Sequence, residues 1–312
     1  MPRLMIDLRN EVSAFRPQAE AIADLLRELG PAWQADLVAE PAQRQAALPE
    51  ADFALVWTFR AEEYRQAPRL RQLFTPAAGR DWIEPDPAGK VAALHGSFHG
   101  PMIAQSFLAA LLAATSELDT QQALQDSRSW DRNAFPRRRL LRGRQALILG
   151  CGAIGDEIAA VLTPLGVSVT GVRRSQNSAQ AIRPGFTLDS SSRLSRLLPA
   201  AEILLNLLPG TPENRHFVDS ALLAQLPPGA IYANFGRGTT QDESALLEAL
   251  DSGRLGQAIL DVTEIEPLPA DSPLWSHPKI RLSPHSSCCY LDYIPRFFAE
   301  AAPKLRHLAE GL

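Results

Sequence analysis

The sequence predicts an α/β protein made of two doubly wound parallel-sheet domains. Three observations lead there. Short apolar runs of strand length alternate with helical stretches over residues 1–100, and the same alternation resumes near Ala146. A length of 312 residues is enough for two domains at roughly 100–200 residues each. Strands that alternate with helices make parallel sheets, which need cover on both faces.

Taken in order, Leu4-Met5-Ile6 is the first strand. A helical pattern follows through Ala21, Ala23, Leu25, Leu26 and Leu29 and stops at Gly30-Pro31. Phe53-Ala54-Leu55-Val56-Trp57 is a second strand-length run, and Leu70 to Phe74 leads to a third. From Pro101 to about Leu124 the pattern is one long helix, rich in Ala and Leu and almost without charge. Such a helix is expected to be buried nearly all round, wedged between two domains or two subunits. A polar stretch, Gln125 to Arg144, precedes the second series. Its strands are expected at Ala146–Leu149, Val167–Val172, Ile203–Leu207, Ala230–Asn234, Ala258–Leu260 and Ile280–Leu282. Tyr293 to Leu312 reads as one amphipathic helix with Phe297, Phe298 and Leu305 on its apolar side.

Composition narrows the function classes. Hydrophobic residues make up 46% and charged residues 21%, as in ordinary globular proteins, so disorder is not the main state. A net charge of −4 argues against a nucleic-acid partner, which needs a positive face. Arg137, Arg138, Arg139, Arg142 and Arg144 form a basic cluster, read as a solvated segment leading into a strand. Cys151, Cys288 and Cys289 form neither a disulfide framework nor a CxxC metal site, and no metal is expected. The residues from Met1 to Asp7 lack the apolar core of a signal peptide, and no apolar run approaches the ~20 residues of a membrane span. The expectation is a cytoplasmic protein with no membrane partner.

The first chemical motif is a turn. Gln145-Ala146-Leu147-Ile148-Leu149 runs into Gly150-Cys151-Gly152-Ala153-Ile154-Gly155 and then into Asp156-Glu157-Ile158. That is a strand, a glycine-rich turn and a helix. One glycine permits the tight turn, the second lets backbone touch a pyrophosphate, and the third lets helix and strand pack closely. The helix N-terminus supplies free N–H groups to the anion. Ile154, Ile158, Val161, Leu162 and Leu165 continue at helical spacing, which gives an otherwise weak motif its context. Gly150, Gly152, Ala153, Ile154 and Gly155 are therefore assigned to a dinucleotide in a Rossmann-type domain. Cys151 has no evident base partner and is not read as a nucleophile.

The following strand selects the dinucleotide. Val167 to Val172 ends in Arg173-Arg174-Ser175, where NAD-preferring folds carry an acid for the ribose hydroxyls. Two guanidiniums and a hydroxyl suit a 2′-phosphate instead. NADP(H) is the expected cofactor, and NAD(H) stays open as a second one.

Four further stretches carry a family resemblance. Asn234-Phe235-Gly236-Arg237-Gly238, Asp261-Val262-Thr263-Glu264-Ile265-Glu266-Pro267-Leu268-Pro269, Ser272-Pro273-Leu274-Trp275 and Ser283-Pro284-His285 resemble, in order and spacing, the motifs of D-2-hydroxyacid dehydrogenases. The glyoxylate/hydroxypyruvate reductase-like branch is the nearest in pattern. The likeness is strong from about Leu147 to His285 and weak before that.

The chemistry of the residues agrees with the resemblance. Reducing a 2-oxo acid needs a cation for the carboxylate, a proton donor for the developing alkoxide and a hydride within reach. Arg237 suits the first with its planar fork. His285 suits the second, as a general acid whose unperturbed pKa is about 6.5. Glu266 would orient the imidazole and favour its charged form. The resemblance further implies that Asp261 meets the nicotinamide, and Leu208, Pro209 and Phe235 are also assigned to the cofactor. His99 and His277 have no such context and are read as structural or surface residues.

The resemblance implies that backbone N–H groups of an N-terminal loop hold the substrate carboxylate. The matching stretch is Ala77-Ala78-Gly79-Arg80-Asp81, with Ala78, Gly79 and Arg80 as substrate-binding candidates. Relatives usually carry a small apolar residue in place of Arg80, which either faces solvent or adds a cation for a second anionic group. Ser286-Ser287-Cys288-Cys289 also departs from the family pattern. The expected domains are residues 1–96 with 286–312 for the substrate, flavodoxin-like, and 97–285 for the dinucleotide, with the site in the cleft between them. A homodimer acting on a small 2-oxo or 2-hydroxy acid is expected. Two alternatives stay open at this point: a non-catalytic dinucleotide-sensing binding protein of the same fold, and an S-adenosylmethionine methyltransferase.

Overall fold

A computed structural model of the chain describes residues 1–310. They form two compact units: Met1–His99 together with residues 289–310, and Gly100–Cys288.

The first unit holds β1 (Arg3–Asp7), α1 (Ala19–Leu29), β2 (Gln34–Leu37), α2 (Pro41–Ala47), β3 (Phe53–Val56), β4 (Gln72–Thr75) and β5 (Ala92–His95). All pairings are parallel, in the order β2-β1-β3-β4-β5, with Leu4 opposite both Ala35 and Phe53. The central strand β3 is buried along its whole length, which is why its apolar run is so plain in the sequence. Strands β2 and β5 form the two edges. They are half exposed and carry Gln34, Asp36 and His95, so no apolar run announces them. One sheet face packs Met5, Ala54, Val56 and Leu73 against Leu48, Phe59 and Ile83. The C-terminal helix, Tyr293–Ala309, lies against α1 and buries Phe297, Phe298 and Leu305 as its spacing requires.

The second unit begins with α3 (Gly100–Thr115) and α4 (Leu118–Asp126) and continues through β6 (Gln145–Leu149), α5 (Ala153–Leu162), β7 (Ser168–Arg173), β8 (Gln180–Arg183) and β9 (Phe186–Ser190). Then come α6 (Leu194–Leu197), β10 (Ile203–Asn206), α7 (Ser220–Leu223), β11 (Ala230–Asn234), α8 (Glu243–Asp251), β12 (Leu255–Leu260) and β13 (Ile280–Leu282). The sheet order is β13-β12-β11-β10-β6-β7-β9-β8, parallel except for the β8–β9 hairpin at one edge. The order reverses between β6 and β10, and the crevice at the carboxyl ends of strands at such a point is where ligands bind in open α/β sheets.

Two expectations need correction here. The single helix from Pro101 to Leu124 is broken: α3 and α4 meet at 64°. Glu117 stands at the bend with φ 50, a left-handed conformation that a continuing helix cannot adopt. Its buried carboxylate accepts from Arg137 N at 2.9 Å and Arg137 Nε at 3.2 Å, so one member of the basic cluster anchors the corner. Nor is α3 buried all round. Gln105, Ala109 and Leu112 form an exposed stripe opposite the face packed on α5. The hairpin β8–β9 was also unforeseen, because Gln180–Arg183 is mostly exposed and polar. Among the described residues no single helix is long and apolar enough to cross a membrane.

Candidate active site

Strand β6 delivers the chain into the glycine turn, and each glycine there has a different reason. Gly150 has φ +74, and a Cβ on it would stand 3.0 Å from the Leu207 carbonyl oxygen. Gly152 opens α5 with nothing within 4 Å of where a Cβ would be, so backbone is bare on that side. A Cβ on Gly155 would lie 2.7 Å from Cys151 Sγ, and one on Gly171 of β7 would lie 2.4 Å from the same sulfur. Cys151 therefore fills the seam between α5 and two strands. Burial pushes its thiol up to about 12, which makes it inert at neutral pH. A pyrophosphate fits the bare backbone at Gly152 and the N-terminus of α5.

Arg173 ends β7, and Arg173, Arg174 and Ser175 are all exposed. Among the described residues neither guanidinium has a hydrogen bond or ion pair, and Arg174 acts on Glu213 only through its field. No acid occupies this strand end: Asp189 on the neighbouring β9 is buried and paired with Arg193 at 3.2 Å. Two uncommitted cations suit a phosphate better than a bare ribose.

The loop after β11 carries Arg237. Asn234, fully buried, explains the spacing of its motif. Its Oδ1 accepts from Gly236 N at 3.0 Å and its Nδ2 donates to Arg237 O at 3.2 Å, so the side chain ties the turn that presents the arginine. Nδ2 also donates to Gln241 Oε1 at 2.9 Å, which in turn accepts from Tyr232 Oη at 3.1 Å. Asn206 Nδ2 donates to Tyr232 Oη and Thr240 Oγ1, and Thr240 Oγ1 donates to Arg237 O at 2.6 Å. Burial drives the Tyr232 phenol far above its ordinary range, which keeps it a neutral donor. Asn206 Oδ1 also accepts from Leu208 N, so one buried network shapes both the Leu208-Pro209 turn and the Arg237 loop. Asn206, Tyr232, Thr240 and Gln241 were missed in the sequence. Asn206 alone carries a signal, a polar side chain closing an otherwise apolar strand; Tyr232 sits mid-strand, and Thr240 and Gln241 lie in the loop beyond β11.

The turn after β12 carries Glu266. A Cβ on Gly238 would stand 1.9 Å from Thr263 O, so only glycine lets the Arg237 loop rest on this turn. Glu266 Oε1 accepts from Thr263 N at 3.1 Å, and Oε2 lies 2.8 Å from His285 Nδ1. Burial alone would raise the Glu266 carboxyl. The His285 hydrogen bond and charge, the Thr263 amide and Arg237 outweigh it and bring the group below its usual range. An ionised Glu266 holds the proton of His285 on Nδ1 and turns Nε2 outward. The two side chains are 38% and 43% exposed, open enough for a small molecule to reach.

Asp261 stands just beyond the end of β12. Its carboxylate is 1% exposed and accepts from Ser283 Oγ at 2.6 Å, Ser286 N at 2.9 Å and Ser287 N at 3.2 Å. It anchors the loop that carries His285, whose left-handed φ of 49 needs such support. The donors at positions 286 and 287 are backbone amides, so the serines that depart from the family pattern leave this anchor untouched. The Phe235 ring is buried in the core, edge-on to Phe107 at 5.6 Å.

In the first unit, Thr75 starts the loop expected to bind substrate. Its Oγ1 accepts from Ala77 N, and Gly96 N donates to both Thr75 O and Ala77 O. Ala78 and Arg80 are exposed and Gly79 is half exposed. Burial lowers the His95 imidazole, against the pull of the Gly79 and Ala77 backbone. Trp57, also missed in the sequence, is 8% exposed, and its indole N–H has no hydrogen-bond partner. His99 is buried with Nε2 3.0 Å from Tyr293 Oη, and His277 Nε2 sits 3.3 Å from Asp251.

Fold and site define a nicotinamide-dinucleotide-dependent dehydrogenase. A sequence profile for the D-isomer specific 2-hydroxyacid dehydrogenase NAD-binding domain matches residues 108–287, and the chain belongs to that family. It is 32% identical over 244 residues to glyoxylate/hydroxypyruvate reductase A of Serratia proteamaculans, covering 75% of this chain and 76% of that one. The same enzyme of Salmonella paratyphi B is 32% identical over 265 residues, or 80% and 82% of the two chains. A family member from Aeromonas salmonicida has a closely similar structure, with a TM-score of 0.81, 29% identity and coverage of 99% and 96%. So has the NADPH-dependent glyoxylate/hydroxypyruvate reductase of Sinorhizobium meliloti, solved with NADP and sulfate, with a TM-score of 0.80, 25% identity and coverage of 100% and 96%.

Proposed function

We propose that this dehydrogenase is an NADPH-preferring reductase of small 2-oxo acids of the glyoxylate or hydroxypyruvate kind, working as a homodimer in the cytoplasm. The observation that carries the reading is the Glu266–His285 pair at 2.8 Å, on a turn packed directly against the Arg237 loop. Arg237 binds the carboxylate and the adjacent carbonyl oxygen of the substrate through its fork. His285 donates a proton from Nε2 to the oxygen that becomes the hydroxyl, while Glu266 at Nδ1 fixes its orientation. The glycine turn and the N-terminus of α5 would hold the dinucleotide, which when bound would supply a hydride. Arg173, Arg174 and Ser175 would take the 2′-phosphate, and their exposure at the end of β7 supports the preference. Ala78, Gly79 and Arg80 are assigned to the substrate carboxylate.

Relatives support the substrate class, since the Serratia and Salmonella enzymes are named for glyoxylate and hydroxypyruvate. The exposed stripe on α3 supports the homodimer. The test is oxidation of NADPH and of NADH with glyoxylate, hydroxypyruvate, pyruvate, phenylpyruvate and oxaloacetate. Higher kcat/KM with NADPH, and with the two smallest hydroxylated or unsubstituted acids, is expected. Equal efficiency with NADH would overturn the cofactor preference, and tight cofactor binding without turnover would overturn the catalytic reading.

A further inference from the structure

Three groups outside the reacting set converge where the two catalytic loops meet. His216 has φ 49, an uncommon conformation for a residue with a side chain. Its backbone N donates to Thr239 O at 3.0 Å, two residues beyond Arg237. Its Nε2 lies 2.9 Å from Glu264 Oε2, two residues before Glu266. Glu264 is bound a second time: Oε1 accepts from Glu243 N at 2.9 Å, and Glu264 N donates to Glu243 Oε1 at 2.7 Å. This reciprocal clasp fixes the 263–266 turn to the first residue of α8 at both the side-chain and the backbone level.

We propose that His216 is a positioning residue that couples the Arg237 loop to the Glu266 turn through Glu264. The inference rests on the catalytic reading of Arg237, Glu266 and His285. None of the three coupling groups need touch substrate. Their effect is geometric: Arg237 grips one end of a small substrate and the Glu266–His285 pair serves the other, so the spacing of the two loops sets the reacting geometry. Gly238 packed on Thr263 brings the loops together but resists only closer approach. The His216–Glu264 link resists their separation. His216 is held on one side by a backbone bond and on the other by a side-chain bond, so motion of either loop is passed to the other. The charged groups beside His216 are Glu264 from the turn and Glu243 from α8; burial and the Glu264 charge raise the Glu243 carboxyl, against the pull of the Glu264 amide, Gln241 and His216.

The test uses the full-length protein, with rates expressed per cofactor-binding site so that misfolded molecules do not count. His216→Gly removes the imidazole at a backbone position glycine adopts freely. Glu264→Ala removes the other half of the link. Each is expected to lower kcat per site on the order of ten- to a hundredfold, while the NADPH dissociation constant stays within about twofold, since misplacement of reacting groups by about 1 Å costs that much. The double variant is expected to be no slower than the worse single one, as for two residues acting through one contact. A wild-type rate per site in His216→Gly, or losses that multiply in the double variant, would overturn the proposal. If the unmodified protein binds NADPH but reduces no 2-oxo acid, the underlying catalytic reading fails instead.

Discussion

At the scale of single residues, the site depends on charges held by neighbours of opposite sign. Glu266 lies below the usual carboxylate range because His285 and Arg237 stabilise its anion more than burial opposes it. Glu266→Gln keeps the shape and removes the charge. We expect kcat to fall on the order of a hundredfold with the fold intact, measured as 2-oxo acid reduction beside a circular dichroism melt. The pH dependence follows from the direction of the shift. A depressed carboxylate contributes stability above its unfolded pKa of about 4.3 and loses it as pH falls through the lower folded value. The stability gap between the wild type and Glu266→Gln should therefore close on acidification below about pH 4, and a gap that widened there would contradict the assignment. The proposed catalytic residues Arg237, Glu266 and His285 were legible as candidates one by one, because they lie in spaced motifs. Sequence spacing does not show that three donors of the His285 loop converge on the Asp261 carboxylate.

At the scale of elements, loops at the ends of β11, β12 and β13 are braced against each other. The contact between Gly238 and Thr263 O is the tightest of these. Gly238→Ala must displace one loop from the other by more than 1 Å, and a comparable misplacement costs on the order of a hundredfold in rate. A loss of kcat below tenfold would show that the loops yield more easily than their packing suggests. Legibility at this scale followed burial. Strands β3, β6, β10 and β11 lie inside their sheets and announce themselves as apolar runs, whereas β2, β5 and β8 lie at edges with one side in water. The break between α3 and α4 was invisible because Glu117 is no helix breaker. Only its buried pairing with Arg137, distant in sequence, makes the left-handed corner worthwhile.

At the scale of the whole molecule, the two sheets show the strand orders of doubly wound folds, β2-β1-β3-β4-β5 in one unit and a reversal at β6/β10 in the other. Alternation of strands and helices foretold parallel sheets, and right-handed crossovers narrow the strand orders to a few without choosing among them. Assembly is less direct to read. Leu112, Leu118, Trp130 and Leu140 are 39%, 46%, 96% and 80% exposed, all within residues 112–140. These are the exposed apolar side chains that the proposed dimer would cover. Leu112→Glu should convert the proposed dimer into a monomer, seen as a halved mass by light scattering after size-exclusion chromatography. An unchanged mass would place the subunit contact elsewhere. What the sequence did not disclose was the buried polar network of Asn206, Tyr232, Thr240 and Gln241. Its members come from separate strands and loops, and only the closed fold gives them to each other.

The glycine cradle around Cys151 has a practical consequence. A sulfur walled in by Gly155 and Gly171, with its thiol pushed up to about 12, will not react with a maleimide under conditions that label an exposed cysteine. Cys289 is exposed and belongs to the first unit, so it can take a fluorophore while the glycine turn of the second unit stays chemically untouched. A label placed there would mark the first unit without altering the turn.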